Sequence, residues 1–315
     1  MAQIGTDISL AKDILTRGDL VGIPTETVYG LAANALNPDA VTKIFTTKER
    51  PSFDPLIVHT DSLTNVSEFV QEIPVKAKQL ADQFWPGPLT LLLQKKSIIP
   101  DLVTSGLDTV AVRIPRHPLT QALLAQLDFP LAAPSANPFG YISPTTAKHV
   151  NDQLGGEIDY ILDGGSCTIG VESTIIGFNN DIPVVYRLGG MAIEEIEKVV
   201  GKVDKMPHSS SNPSAPGMLA SHYAPKKKLI LGNLSDLKNK YKGQDVATLS
   251  FIKEKDQRHA YFLSELGDLN EAAQNLFSKL RELDDLPVDL ILAELVPDEG
   301  LGRAINDRLK RAAAL

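Results

Sequence analysis

The stretch from Leu20 to His59 constrains this chain more than any other. It opens with the apolar run Leu20-Val21-Gly22-Ile23 and continues as P-T-E-T-V-Y-G-L over residues 24–31. It ends in K-E-R-P at 48–51 and D-P-L-I-V-H at 54–59. Short apolar runs bounded by glycine and proline read as buried strands. Between them Asn37-Pro38 supplies a helix N-cap and a first-turn proline, and Ala40, Val41, Ile44 and Phe45 form the apolar face. The unit is therefore strand, hydroxyl-rich turn, helix, then the strand Leu56–Val58 behind two basic residues.

Later segments bring further strands towards the same place. Helices are expected at Asp7–Arg17, Pro74–Phe84, Pro118–Leu127 and Ile193–Val200, with another opened by Ser143-Pro144. Strands are expected at Leu89–Leu93, Val110–Ile114, Leu131–Ala133 and Tyr160–Leu162, then a pair at Ser173–Phe178 and Val184–Arg187. From Lys205 to Pro225 the composition turns to Ser, Pro, Asn and His without periodicity, which reads as a linker. Beyond it, strands Leu229–Leu231, Val246–Ser250, Tyr261–Leu263 and Leu290–Ala293 accompany helices at Asn270–Leu283 and Arg303–Ala313. The fold class is α/β: a mixed twisted sheet with flanking helices over 1–203, a linker over 204–227, and a small Rossmann-like domain over 228–315.

A chain of 315 residues with 43 % hydrophobic and 22 % charged side chains suits two globular domains. Cys167 is the single cysteine, which excludes an internal disulfide and a multi-cysteine metal cage and favours a reducing, cytoplasmic setting. The first turn is polar (Gln3, Asp7, Lys12, Asp13), unlike a signal peptide, and no apolar run approaches a membrane span. A net charge of −8 works against stable nucleic-acid binding but permits a small anion held by a local basic cluster.

No phosphate-binding glycine loop, zinc-protease motif or nucleophile elbow is present. A nucleotide would have to be held by side chains at strand ends, for which Lys48, Arg50, Arg113, Arg116 and Arg187 are the candidates. Each alone reads as a solvated end charge; together they point to an anion site. His59 fits either a ligand contact or a core histidine. Ser135 and Asn137 lie between two prolines that stiffen their loop, and Thr25 and Thr27 sit in the first turn. Cys167 has no activating neighbour, and Trp85 reads as a packing anchor. The residues give a cationic, hydroxyl-lined cleft and leave the reaction open.

The motifs together resemble the YrdC family in its long, two-domain form, the threonylcarbamoyl-AMP synthases. To the motifs above are added W-P-G-P-L-T at 85–90, T-V-A-V-R-I-P at 109–115, A-P-S-A-N at 133–137, V-E-S-T-I at 171–175 and R-L-G at 187–189. The linker sequence P-G-M-L-A-S-H-Y-A-P at 216–225 is similar to the one that marks the long form. The resemblance implies a YrdC-like sheet domain and an enzyme that joins L-threonine, bicarbonate or CO2, and ATP into threonylcarbamoyl-AMP and pyrophosphate. A tRNA threonylcarbamoyl-transferase complex would receive the product, and Mg2+ would arrive through the phosphates.

Residue by residue, the resemblance places Lys48, Arg50, Ser135 and Asn137 in the family's catalytic tetrad. It places Arg50, Asp54, Thr109, Ser135, Ser143, Arg187 and Tyr223 on the ATP side, and Thr27, His59, Arg113, Ala133 and Ser173 around threonine. Arg113 is the expected carboxylate partner. Asp54 departs from the usual asparagine. Two other readings are a carbamoyl-transfer module, disfavoured by the single cysteine, and a non-enzymatic RNA-binding module, disfavoured by the −8 charge and the linker motif.

Overall fold

A computed structural model describes residues 1–206, 213–219, 222–253 and 258–314. Its main sheet runs Gln3–Gly5, Tyr160–Leu162, Val21–Ile23, Gly30–Asn34, Leu131–Ala132, Ile57–His59, Thr109–Arg113, Leu89–Gln94, Thr174–Asn179, Ile182–Arg187 and Asp204–Lys205 from edge to edge. Parallel and antiparallel pairings mix, as expected from the sequence. The decisive pairing is parallel: Ile57 lies opposite Ala111 and His59 opposite Arg113. Two strands thus end side by side with a histidine and an arginine on the same face.

Alternation divides the core. Val58, Leu91, Val112 and Ile176 pack on one face, while Ile57, Leu92, Ala111 and Ile175 pack on the other. Ala215 and Met218, from the linker, cover that second face. Met218 is buried there, a contribution of about 1.5–3 kcal/mol towards holding the segment down. The linker reading reaches residues 207–212 and 220–221, which lie outside the described residues.

The second sheet is wholly parallel, in the order Lys228–Leu231, Leu290–Ala293, Val246–Ile252, Ala260–Ser264. Helices Leu269–Asp284 and Gly302–Ala312 carry its core to the first unit. Val28, Ile142 and Val171 share one apolar cluster with Tyr223, Leu276, Phe277 and Ile305. Arg281 donates to the carbonyls of Ile142 and Ser143, and Tyr141 donates to Asp284 at 2.7 Å. The two sheets are joined by packing as well as by chain.

Three local expectations change. Ser143-Pro144 does not open a helix: the helix is Ala147–Leu154, capped by Thr146, which accepts from the His149 N–H. The Ser143 hydroxyl is used elsewhere, on Glu172. Gly30–Asn34 forms a strand antiparallel to Val21–Ile23, although G-L-A-A-N has low strand propensity. Its place in the middle of the sheet, where Leu31, Ala32 and Ala33 are fully buried, overrides that propensity. Short helices at Leu63–Phe69 and Leu234–Lys240 also form, each with a polar cap, Ser62 and Asn233.

Candidate active site

A cleft, partly open to solvent, lies over the strand ends of the main sheet. Thr27, Arg50, His59, Arg113, Ala133, Ser135, Ser173, Arg187 and Tyr223 all line it. Lys48, Asp54, Asn137 and Ser143 stand behind that lining. Thr109 lies on the same strand face as Ala111 and Arg113 but four residues from Arg113, roughly 13 Å along the strand. Arg116 is exposed and outside the cleft.

At one end, the turn after Val21–Ile23 is folded by Thr25. Its hydroxyl accepts from the N–H groups of Thr27 and Val28 and donates to the Val28 carbonyl at 2.6 Å. The turn thereby aims the Thr27 hydroxyl at Arg113, whose Nη1 donates to it at 2.9 Å. Arg113 Nε donates to the Gly87 carbonyl at 3.1 Å, in the W-P-G-P loop. Its Nη2 lies 2.8 Å from Glu26 Oε2, an ion pair without hydrogen-bond alignment. A guanidinium has five N–H groups, so both terminal nitrogens keep hydrogens for a bound carboxylate. Beside it His59 is buried, and burial together with the Arg113 charge lowers its pKa to about 3. It is neutral, and its Nδ1 has no partner.

At the other end, Arg187 Nε and Nη2 both donate to the Ser173 carbonyl, at 3.1 and 2.9 Å, and Nη2 reaches the Ser173 hydroxyl at 3.1 Å. Burial lowers the Arg187 pKa to about 10. Arg50 donates to the carbonyls of Asp54 and Pro55 and pairs with Asp54 Oδ2 at 2.8 Å. Burial leaves its pKa below the ordinary arginine value, with Asp54 pulling the other way. Asp54 Oδ1 in turn accepts from the Gly217 N–H of the linker at 3.4 Å. Gly217 has φ +72°, which favours glycine, and a Cβ there would come 3.0 Å from Arg187 Nη1, so a side chain would also push on that guanidinium. Tyr223 holds a left-handed backbone, φ +67°, while its ring is fully buried. Strain of that kind at a non-glycine residue is tolerated where packing fixes it, often at a ligand clamp.

Lys48 differs from what the sequence suggests. Its ammonium is buried and donates to the carbonyls of Ser135 and Asn137, and its own carbonyl accepts from the Phe139 N–H. Burial, with the Arg50 charge, holds its pKa well below the usual lysine range. In this state Lys48 shapes the A-P-S-A-N loop from behind. Asn137 donates to the carbonyls of Pro138 and Tyr141, and its Oδ1 has no partner.

Glu26, Glu172 and His222 are contributors that sequence reasoning did not assign. Glu172 lies inside the apolar run G-V-E-S-T-I-I, and an acid in such a run is the available signal. Glu26 sits between the two threonines of the first turn. His222 packs edge-on against Phe139 and Tyr223, with ring centroids at 5.5 and 4.2 Å. Glu26, Asp54 and Glu172 each face an arginine, and among the described residues no group of three His, Cys, Asp or Glu side chains is placed to hold a metal ion.

A family model described as "Telomere recombination" matches residues 13–189, and one described as "Threonylcarbamoyl-AMP synthase, C-terminal domain" matches 191–314. The chain belongs to the YrdC-type threonylcarbamoyl-AMP synthase family. It is 43 % identical over 320 residues to a threonylcarbamoyl-AMP synthase of Pyrococcus abyssi, covering 97 % of this chain and 94 % of the relative. A synthase of Bacillus subtilis is also 43 % identical, covering 97 % and 92 %. The crystal structure of P. abyssi Sua5 complexed with L-threonine superposes with a TM-score of 0.94 at 41 % identity, covering 99 % of this chain and 97 % of that one. The family's two-domain form, not its single-domain one, is therefore the right frame for the cleft and for the second sheet behind it.

Proposed function

We propose that the chain is a nucleotidyltransferase that makes L-threonylcarbamoyl-AMP and pyrophosphate from L-threonine, bicarbonate or CO2, and ATP. The observation that carries this reading is the cleft itself: Arg113, Thr27 and neutral His59 at one end, Arg50, Arg187 and Tyr223 at the other. The first set suits an amino acid carboxylate, which takes charge-assisted hydrogen bonds from a guanidinium. The second suits a polyphosphate, for which two arginines supply fixed positive charge. Ser173 lines the cleft beside Arg187, its hydroxyl bonded to Thr90 at 2.7 Å and accepting from Arg187 at 3.1 Å.

In this reading the threonine amine captures carbon dioxide or bicarbonate as a carbamate. A carbamate oxygen then attacks the α-phosphorus, the bond to the bridging oxygen breaks, and pyrophosphate leaves. No covalent enzyme intermediate is needed, so the protein's work is positioning and charge stabilisation. Arg113 fixes the carboxylate, Ala133 and Ser173 flank the amine end, and Arg50, Ser135 and Arg187 face the phosphates. Lys48 and Asn137 act from behind by holding the Ser135 loop. Glu26, Asp54 and Glu172 are each paired to an arginine, and Mg2+ would ride on the nucleotide and neutralise phosphate charge. The linker, with Tyr223, closes over the nucleotide and keeps water from a labile mixed anhydride.

We assign 1–203 to the catalytic domain, 204–227 to the lid and 228–315 to the second domain. The product goes to a tRNA threonylcarbamoyl-transferase complex that modifies the adenosine beside the anticodon, in the cytoplasm. The test is pyrophosphate release from ATP with and without L-threonine and bicarbonate. Release that needs both supports the synthase; release from ATP alone overturns it in favour of a nucleotidase.

A further inference from the structure

The nucleotide end of the cleft is not completed by the first domain. Glu172 lines it, buried, with one oxygen accepting from the Ser143 hydroxyl at 2.5 Å. The other oxygen is held by Arg308 Nε at 2.9 Å, and Arg308 belongs to the last helix of the second domain. Arg308 is fully buried, and its Nη2 donates to the Leu188 carbonyl at 2.8 Å, beside Arg187. Its guanidinium also lies over the Tyr223 ring, 4.8 Å from the centroid. Arg311, one turn on, lies 4.7 Å from the same ring, and Phe277 stacks on it at 5.6 Å. The lid tyrosine is therefore gripped by second-domain side chains, and one of them also fixes an acid in the cleft.

We infer that Arg308 is a positioning residue for the nucleotide, acting through Glu172, Ser143 and Tyr223. This rests on the synthase reading. Glu172 alone would set a buried negative charge beside the phosphates. Paired with Arg308, and with Arg187 close by, it becomes a neutralised acceptor that orients Ser143. The charges support the geometry. Burial raises the Glu172 pKa, but Arg308 and Arg187 outweigh it and keep the carboxylate below its ordinary value. Burial likewise opposes the Arg308 charge, and Tyr223, Glu172 and Asp307 outweigh it. The second domain thus takes part in the chemistry by holding two walls of the ATP subsite in place.

Arg308→Met keeps an apolar stem against Tyr223 and removes the charge. It is expected to raise the KM for ATP roughly tenfold to a hundredfold, the range for losing one hydrogen bond to a charged group. The KM for threonine should stay within about threefold, because no contact links Arg308 to Arg113 or His59. Adding Glu172→Gln to Arg308→Met should recover part of the ATP affinity, since the unpaired carboxylate then no longer repels the phosphates. Leu292→Ala, in the apolar cluster with Leu234 and Leu237, is the stability control: it should lower the melting temperature and leave both KM values in place. If Arg308→Met moves the two KM values in equal proportion, or Glu172→Gln deepens the defect, Arg308 is merely structural and the inference fails. Should Arg308→Met not fold, Arg308→Lys serves, with an intermediate loss of ATP affinity expected. Calorimetric ATP binding to wild type and variants reads the same effect without turnover, so a wild type that binds ATP but makes no product would sink the synthase reading and not this one.

Discussion

Arg113 and Arg187 face one cleft, yet they are held in place by different means. Arg113 ends a strand whose parallel neighbour ends in His59, and its other partners, Thr27, Glu26 and Gly87, all come from the first 90 residues or so of the same sheet domain. Arg187 sits where three separate segments meet: the Ser173 strand, the linker at Pro216, and the second domain through Arg308 and Leu188. One end is a rigid product of strand register. The other is completed by the linker contact at Pro216 and by the second domain. The threonine end should therefore be preformed, while the nucleotide end should feel every change that loosens the linker or the last helix.

The largest expected effect tests the rigid end. Arg113→Ala removes the proposed carboxylate partner and should raise the KM for threonine roughly a hundredfold, as when one member of a buried charge pair is truncated, with the ATP KM changed far less. It also strands Glu26, so Arg113→Ala with Glu26→Gln should fold better than the single variant while binding threonine no better. Equal loss of both substrates would mean the two ends are not separate subsites. Arg187→Ala probes the other side. Its guanidinium touches Ser173 and the linker, so the ATP KM should rise about tenfold and the threonine KM by about threefold or less. A threonine effect larger than the ATP effect would erase the distinction between the two ends.

The same contrast explains what could be read from the chain before its structure. The strand ends at the cleft are local: Leu56–Val58 runs straight into His59, and Val110–Val112 straight into Arg113, so apolar runs flanked by a basic residue marked both as candidates, with a core histidine and a solvated end charge as the standing alternatives. The Gly30–Asn34 strand was not legible because its stability comes from its neighbours in the sheet, not from its own residues. Lys48 was legible as a cation and illegible as a buried clamp, since only the path of the A-P-S-A-N loop decides which way the ammonium turns. Arg308 was beyond reach. A basic residue in R-L-K-R near the end of an amphipathic helix reads as solvated surface, and nothing local says that the facing surface is the Glu172 carboxylate, 136 positions away. The family resemblance assigned about half of the cleft lining and passed over this helix.

Acid should separate the ends by a smaller amount. His59 has a folded pKa of about 3 against 6.5 for an ordinary histidine, from burial first and Arg113 second. An imidazole whose pKa is depressed by folding stabilises the native state fully above pH 6.5, and that contribution is lost as pH falls through 6.5 towards 3. Between pH 6.5 and 5 the loss is about 2 kcal/mol for one such group. Melting temperatures measured over that range should fall, and His59→Gln should flatten the fall. His222, at the other end, is depressed by burial and by Arg311, Arg50, Lys48 and Arg308. Bound ATP would offset those charges, so ATP should protect against acid more than threonine does. Equal protection by the two ligands would count against placing the phosphates near His222.

The smallest effect concerns Asp54, where the family resemblance leads one to expect asparagine. Asp54 is fully buried, pairs with Arg50 and reaches the linker through Gly217. Its carboxylate competes with phosphate for Arg50, and it also ties the linker down. Asp54→Asn keeps an oxygen for the Gly217 N–H and gives up the charge, so the two roles can be told apart. If competition dominates, the ATP KM should fall, by about threefold, since Asp54 and Arg50 are already held by three further contacts between side chain and backbone. If the tie to the linker depends on full charge, the ATP KM should rise instead, and limited proteolysis near Gly217 should speed up in the absence of ATP. Threonine affinity should be unmoved in either case, because Asp54 makes no contact with Arg113, Thr27 or His59. A change in threonine KM without one in ATP KM would show that the linker reaches the rigid end as well, and that the two ends are one site.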